Sequence, residues 1–246
     1  MKNTLILTIS LFTFSLFASN ICIVIDDFGY SGYPSRKILM MNYPFTLAIM
    51  PFGPIATKFA LQAKKAGFET ILHLPMEPKS LSINNNIYKY YLTVDKNEYQ
   101  LEKILISDML KTPGIVGANN HQGSLFTSNE KKMELVLKIL KKYNLFFMDS
   151  LTSSSSKVTA ASKKTGISVL KRDIFIDNST DFYSIKKQLK KLFEKAKKNG
   201  YAIGIAHARS KSLDSLDRLL PIMLAEYPNC KMIRLSELYS RINVVN

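Results

Sequence analysis

The stretch of sequence that decides the fold is ICIVIDDFGY, residues 21–30. Residues 21–25 form a near-continuous run of β-branched and other apolar side chains, which is typical of a strand buried on both faces. Two adjacent carboxylates, Asp26 and Asp27, follow the run directly. Because the chemistry of α/β proteins collects at the carboxyl ends of parallel strands, this stretch predicts a buried strand with a functional site at its end.

The rest of the chain repeats short apolar runs that alternate with longer amphipathic stretches. Strands are predicted at 21–25, 45–49, 68–72, 115–118, 145–148, near 168–170, at 202–206 and at 231–234. Helices are predicted at 34–41, 55–66, 96–110, 129–142, before 164, at 185–199 and at 213–226, with a loop at 81–91. Neither a linker-like change of composition nor a sequence repeat is visible. The alternation predicts one α/β domain with a parallel sheet, and it favours a closed barrel.

Composition excludes several classes of protein. The chain has 246 residues, of which 46% are hydrophobic and 22% charged, so it is neither a disordered tail nor a fibrous repeat. That length fits one α/β barrel or two small domains. Two cysteines, Cys22 and Cys230, are too few for a disulfide-rich scaffold or a cysteine zinc cage.

Residues 1–19 have the features of an export signal. Lys2 supplies a positive charge, residues 5–17 are uncharged and mostly apolar, and the small residues Ala18 and Ser19 follow. A retained membrane anchor or a buried first strand are the alternatives, but the apolar segment is short for a spanning helix, which needs about 20 residues. We therefore expect cleavage near Ala18, a single domain at 20–246 with no integral membrane segment, and a location in the periplasm or cell envelope.

The chain is strongly basic, with 34 Lys and Arg against 19 Asp and Glu and a formal net charge of +15. Many lysines lie in the predicted helix 185–199, which keeps one apolar face. A solvated helix face is the favoured interpretation, and attraction to an anionic envelope surface is the alternative. Nucleic acid is not an expected partner, because the chain has no recognisable binding motif and the signal indicates export.

Polar side chains follow several other predicted strands. They are His73, Asn119, Asn120, His121, Asp149 and His207. All three histidines of the chain lie in this set. Carboxylates and imidazoles without a thiolate suit Zn²⁺ or a similar divalent ion in an open catalytic site. The chain has no Gly-rich phosphate loop and no nucleophile elbow, which argues against cofactor redox chemistry and a serine hydrolase.

Structural alternatives exist for each of these residues. The two aspartates could cap a turn, although a cation would relieve the repulsion between adjacent carboxylates. His73 alone is as readily a hydrogen-bonded structural histidine as a ligand. Glu77, four residues later, could be a surface charge, and Asp149 could anchor the Ser-rich loop at 152–156.

Five segments, in this order, resemble a single family. They are IVIDDFGY (23–30), PFTLAIMPF (44–52), LHLPMEP (72–78), GANNHQGS (117–124) and FFMDS (146–150). They resemble the divergent polysaccharide deacetylases, a branch of the carbohydrate esterase superfamily, over about residues 21–238. The resemblance implies a distorted (β/α) barrel of about seven parallel strands and a metal-dependent hydrolase of N-acetyl groups.

The resemblance also implies the roles of the metal-site residues. Asp26 corresponds to the superfamily's base and Asp27 to a metal ligand. His73 matches the first position of its His-x-x-x-His metal motif, but the second position is Glu77. We therefore expect His121 to be the third ligand, with Glu77 and Asn120 as alternative ligands or supporting partners of the site.

The closing Leu-x-His motif of the superfamily is matched loosely by residues 205–207, which makes His207 a candidate general acid. Asp149 is then expected to orient His207 or to hold a sugar hydroxyl. The arginine-containing and aspartate–tryptophan motifs of ordinary deacetylases are not recognisable. Ala208-Arg209 stands where the divergent branch often has a second histidine.

The expected function is the hydrolysis of N-acetyl groups on amino sugars of a cell-envelope glycan, a polysaccharide or a peptidoglycan-like polymer. The cofactor is a divalent metal, and the donor set favours Zn²⁺. The alternative is a catalytically degenerate envelope protein that binds glycan or serves as a scaffold, which the missing motifs and the basic surface favour.

Overall fold

The computed structural model describes residues 18–80 and 89–244. Its strands are β1 (Ser19–Phe28), β2 (Thr46–Ile49), β3 (Glu69–Met76), β4 (Gly117–Gln122), β5 (Phe146–Asp149), β6 (Val169–Lys171), β7 (Ile174–Phe175), β8 (Tyr201–His207) and β9 (Cys230–Met232). Its helices are α1 (Tyr33–Ile38), α2 (Ala56–Lys65), α3 (Glu98–Lys111), α4 (Glu130–Lys142), α5 (Val158–Thr165), α6 (Phe182–Asn199), α7 (Ser210–Glu226) and α8 (Leu235–Val244). A 3₁₀ turn covers Phe126–Ser128.

The strands form one parallel sheet in the order β6-β5-β4-β3-β2-β1-β8-β7. β8 pairs along β1, and the other edge of β1 is shared by β9 near its start and β2 near its end. The two strands that end the order, β6 and β7, are joined by Arg172 and Asp173 alone. Arg172 N donates to Asp149 O on β5, and Asp173 N donates to Ile203 O on β8. This link crosses the open side, so the sheet curls into a distorted barrel.

The predicted fold is confirmed, with nine described strands instead of about seven. β7 has only two residues, too few for an apolar pattern to mark it. The C-terminal helix α8 was not predicted. Its residues Leu235 and Leu238 are buried, and they pack into the interior of the barrel, which they close at the end opposite to the predicted site.

Alternation along the strands separates two cores. In β1, Ile21, Ile23 and Ile25 pack outward against the surrounding helices, whereas Cys22 and Val24 pack inward in the barrel. Burial on both faces explains why this strand is apolar throughout. Ile71 of β3, Met148 of β5 and the pair Ile203 and Ile205 of β8 also pack inward. Successive side chains point to opposite faces, so this parity decides which residues reach the mouth of the barrel.

The predicted lysine-rich helix is α6, which extends from Phe182 to Asn199 and ends at Gly200 in a left-handed conformation (φ 83°). Its apolar face is buried, as predicted, and consists of Ile185, Leu189, Leu192, Phe193 and Ala196. Most of the predicted export signal, residues 1–17, lies outside the described residues. Within the described ranges, no helix is long and apolar enough to cross a membrane.

Candidate active site

Parity along the strands brings the predicted polar residues together at the mouth of the barrel. Every second side chain of β1, β3 and β8 points into the barrel. Asp26, His73 and His207 are the next inward side chains after Val24, Ile71 and Ile205, respectively. On β4, Ala118 packs outward, so His121 faces inward. All four side chains line one cleft of about 260 Å³.

Asp27 reaches the same cleft because β1 is irregular at this point. A regular strand would point Asp27 away from Asp26. The pairing register of β1 with β2 shifts between Ile25 and Phe28, and Asp27 adopts φ 70°, which is uncommon for a residue other than glycine. A β-bulge of this kind re-aims a side chain, and strained backbone concentrates at functional sites. Two adjacent carboxylates thus face the same cleft.

Three ligand atoms converge there: Asp27 Oδ1, His73 Nε2 and His121 Nδ1. Asp27 Oδ1 is 3.2 Å from His73 Nε2 and 3.1 Å from His121 Nδ1, and the two nitrogens are 3.1 Å apart. Metal–ligand bonds of about 2.0–2.1 Å place two ligands about 2.9 Å apart at right angles and about 3.4 Å apart in a tetrahedron. The observed separations fall between these limits.

The surroundings of the three atoms also fit a divalent cation. Asp27 Oδ1 is buried, and no donor among the described residues is aligned with it for a hydrogen bond. Burial lowers the pKa of His73, but Asp26 and Asp27 outweigh it and raise this pKa to about 9. Burial raises the pKa of Asp27, but His121 and His73 hold it well below its usual range. The electrostatic potential at the three ligand atoms therefore favours a positive charge between them. Asp27, His73 and His121 form a candidate metal triad.

Asn119 connects this triad to Asp26, and sequence reasoning did not give it a role. It lies opposite His73 in the register of β3 and β4. Its Oδ1 is 2.8 Å from His73 Nδ1, and its Nδ2 donates to Asp26 Oδ1 at 2.9 Å and to Ser150 Oγ at 3.2 Å. Because an amide oxygen only accepts, Nδ1 of His73 carries a proton, and Nε2 is the nitrogen that a metal would bind in place of a proton.

Asp26 lies beside the triad, and its side chain is almost completely buried. Its Oδ2 is 3.7 Å from His73 Nε2. Burial raises the pKa of this carboxyl despite the opposing effect of His73 and His207. A carboxylate that is short of solvent and has a raised pKa is suited to accept a proton.

His207 is oriented by Asp177, which sequence reasoning did not identify as a site residue. His207 Nδ1 is 2.8 Å from Asp177 Oδ1, and the backbone N–H of His207 donates to Asp177 Oδ2 at 3.0 Å. Ser212 Oγ also donates to Asp177 Oδ2. Burial lowers the pKa of His207, but Asp177 outweighs it and raises the pKa. Asp177 lies two residues after Phe175 of β7, and Phe175 packs inward, so alternation along the chain places Asp177 on the inner side with His207.

The prediction that Asp149 orients His207 is therefore corrected. Phe147 packs outward and Met148 inward, so Asp149 faces outward by parity. Its Oδ1 accepts from Leu151 N (2.9 Å) and its Oδ2 from Ser156 Oγ (2.6 Å). Asp149 thus anchors the Ser-rich loop, the structural alternative that the sequence left open.

Glu77 is not part of the triad, and the amide of Asn120, which lines the cleft, is held by other partners. Asn120 Oδ1 accepts from Ser150 N at 2.8 Å, and its Nδ2 donates to Gln122 O at 2.7 Å, so it fixes the loops around the cleft. Glu77 Oε2 accepts from Val94 N at 2.8 Å, so its carboxylate faces the segment before α3. Asn119, one residue before Asn120, is the side chain that contacts His73 of the candidate triad.

A family model described as divergent polysaccharide deacetylase matches residues 23–238. The chain is also 34% identical over 203 residues to the uncharacterized protein YibQ of Escherichia coli (strain K12). That match covers 82% of this chain and 63% of the relative, so the chain spans less than two thirds of the relative's length.

Solved structures share the fold. The uncharacterized protein ATU2773 of Agrobacterium tumefaciens C58 superposes with a TM-score of 0.83 at 24% identity, over 90% of this chain and 89% of that one. The catalytic domain of the peptidoglycan N-acetylglucosamine deacetylase of Eubacterium rectale gives 0.51 at 13% identity, over 88% of each chain. A CE4 family pseudoenzyme of Bacillus anthracis, BA3943, gives 0.53 at 12%, over 89% of this chain and 65% of that one. The chain belongs to the divergent polysaccharide deacetylase family.

Proposed function

We propose that this member of the divergent polysaccharide deacetylase family is a metal-dependent hydrolase that removes acetyl groups from N-acetylated amino sugars of a cell-envelope glycan. The observation that carries the proposal is the convergence in one cleft of the triad Asp27, His73 and His121 with Asp26 and His207. A pure binding protein has no need of a carboxylate and an imidazole placed beside a metal triad.

Asp27, His73 and His121 would hold the metal, for which Zn²⁺ is the best fit. Two imidazole nitrogens and one carboxylate oxygen make a three-residue donor set of the kind found in catalytic zinc sites that keep an open position. A dication held by these residues would polarise the amide carbonyl and would lower the pKa of a bound water from about 15.7 toward 7.

Asp26 would act as the general base. Its carboxylate takes the proton of the water that attacks the acetyl carbonyl carbon. Asn119 holds Oδ1 of Asp26 by its amide N–H and leaves Oδ2, on the side of His73, free to receive this proton. The amide therefore positions the base and the ligand His73 relative to each other.

His207 would act as the general acid. Its Nδ1 is held by Asp177, so Nε2 is the nitrogen that donates a proton to the departing amine when the carbon–nitrogen bond breaks. Positioned proton transfer of this kind contributes typically about 10²–10⁴-fold to a rate. The products leave as acetic acid and the free amino sugar, and the acid then gives its proton to the amine in solution. Asp26 gains one proton and His207 loses one, so the enzyme regains its starting state when Asp26 releases a proton to solvent and His207 takes one up.

The substrate and the location extend the proposal. The chemistry suits a polysaccharide or peptidoglycan-like glycan, and the structural likeness to a peptidoglycan N-acetylglucosamine deacetylase supports this class. Removal of the signal at 1–19 would release the single domain at 20–246 into the periplasm or another part of the cell envelope, where such polymers occur. The basic surface would favour contact with anionic envelope components.

Two measurements test the proposal. The first is the zinc content of purified Asp27→Ala and His121→Ala, which should be lost, whereas Asp26→Asn should retain zinc. The second is acetate release from N-acetylglucosamine oligomers with added Zn²⁺, which wild type should show and Asp26→Asn should not. Asp217→Asn is the control, because its carboxylate pairs with Lys37 on the surface.

Full zinc retention in both ligand variants would refute the assigned triad. Glycan binding by zinc-loaded wild type without acetate release would instead favour the degenerate glycan-binding or scaffolding protein.

A further inference from the structure

A second, larger cleft lies against the segment that directly follows Asp27. It has a volume of about 750 Å³, and the segment after β2 and the first turns of α2 form most of its wall. Phe52 and Tyr90 lie along it as a stacked pair, with ring centres 5.8 Å apart at an angle of 22°. Leu61, which is 54% exposed, adds apolar surface. Aromatic and aliphatic surface in a cleft of this size suits the C–H faces of one or two sugar rings.

The cleft is tied to the segment that carries the catalytic carboxylates. Ile55 N donates to Gly29 O, and Met50 N donates to Phe28 O. Gly53 packs so tightly on Gly29 that a Cβ at residue 53 would lie 2.4 Å from Gly29 O. The cleft wall therefore rests on Phe28 and Gly29, the residues that directly follow Asp27, and these residues connect it to the candidate active site.

The charged groups of the cleft all have the same sign. Lys58 and Lys111 line it, and no acidic residue is among the lining residues described. Lys111 Nζ is 5.2 Å and Lys89 Nζ 5.1 Å from the centre of the Tyr90 ring. The ammonium groups therefore collect beside the aromatic pair that lines the cleft.

Neither cleft lysine is neutralised by an ion pair. Salt bridges of the described residues involve other lysines, and none joins a described carboxylate to Lys58 or Lys111. Asp108 interacts electrostatically with Lys111, but this carboxyl is buried, and burial raises its pKa to about 7. A ligand that brings a carboxylate into the cleft would meet uncompensated positive charge.

We propose that this cleft binds an acidic sugar of the substrate glycan, with Phe52 and Tyr90 against the ring and Lys58 and Lys111 on its carboxylate. The inference rests on the proposed function and specifies its substrate class: an N-acetylated glycan in which some sugars carry carboxylates. The aromatic pair supplies affinity for any sugar chain, and the two lysines supply preference for an acidic one.

The test is direct binding of two tetrasaccharides in the Asp26→Asn background, measured by isothermal titration calorimetry. One is a hyaluronan tetrasaccharide, in which N-acetylglucosamine alternates with glucuronate, and the other is neutral N-acetylchitotetraose. The acidic chain should bind more tightly by about 5- to 10-fold, the size expected for two partly exposed charge contacts. Lys58→Gln with Lys111→Gln should abolish this preference and leave neutral binding unchanged, whereas Phe52→Ala should weaken both.

The paired control is Lys186→Gln with Lys187→Gln on the exposed face of α6, which removes the same charge from a distant surface. It should keep the preference, although the chain has a net charge of +15. Equal binding of the two tetrasaccharides, no binding of either, or equal effects of the two double variants would each overturn the inference. Acetate release by wild type from N-acetylchitotetraose is measured separately, so a failure of the deacetylase proposal is distinguishable from a failure of this one.

Discussion

Replacing Asn119 with alanine removes the one amide that joins the candidate metal triad to the candidate base. In wild type this side chain is fully buried and contacts His73, Asp26 and Ser150. Asn119→Ala leaves the Nδ1–H group of His73 and the Oδ1 atom of Asp26 without their partners. His73 is 2% exposed and Asp26 is 3% exposed, so water cannot readily replace the amide.

The size of the effect follows from these contacts. A buried polar group without its partner costs about 1–3 kcal/mol, so two of them lower the free energy of unfolding by about 2–6 kcal/mol. Loss of a group that holds a metal-binding histidine typically costs about 10- to 100-fold in metal affinity. Asn119→Ala should therefore bind Zn²⁺ at least about tenfold more weakly while remaining folded.

Zinc affinity is measured by competition with a chromophoric chelator at fixed pH, and folding by circular dichroism and thermal unfolding. Asn120→Ala is the matched control, since its side chain binds Ser150 and Gln122 but not the triad. Wild-type affinity in Asn119→Ala would refute the positioning role of the amide. An equal loss in Asn120→Ala would point to general distortion of β4.

Three further predictions follow from the same structure. Burial raises the pKa of Asp108 to about 7, so its protonated carboxyl stabilises the fold at low pH and this contribution is lost as the pH rises through 7. In urea unfolding, the stability of Asp108→Asn relative to wild type should therefore increase by about 2–3 kcal/mol between pH 5 and pH 8. A difference that does not change with pH would contradict this. Asp177→Asn should lower kcat for acetate release by at least about 10²-fold, because the substitution misplaces His207. Zinc content and KM should change little, because Asp177 does not contact the triad. Loss of zinc would argue for a purely structural role. Gly53→Ala should lower the free energy of unfolding by about 1–3 kcal/mol, because the added methyl group meets the backbone of Gly29. Gly67→Ala is the control, since no atom lies within 4 Å of its added Cβ, and it should show only the cost of a positive φ. Thermal unfolding measures both effects.

Much of the fold was predictable because the β1 run and the alternation of strands and helices are strong patterns. The positions of Asp27, His73 and His121 near the carboxyl ends of apolar strands marked them as candidates among several polar residues, and the family resemblance then implied that they are metal ligands. The ends of the strands were predicted less accurately than their existence. β3 and β4 extend four residues beyond their predicted ends, so His73 and His121 lie inside strands, not in the loops after them.

Supporting side chains were harder to predict, because their role depends on which face of a strand they occupy. Counting from the inward residues of each strand would have selected Asn119 over Asn120 and placed Asp149 outside the barrel. Asp27 shows the limit of that rule, because a bulge turns its side chain inward. Asp177 follows a two-residue strand that no apolar pattern marks.

The pairing of β1 has a consequence for the order in which the molecule assembles. β1 is the first strand that the structure describes, yet its longest edge is paired with β8, about 180 residues later in the chain, and its start is paired with β9. One edge of β1 therefore stays unpaired until residues 201–207 have been synthesised. Such long-range closure is slow, and an apolar segment that waits for its partner strand is prone to aggregate.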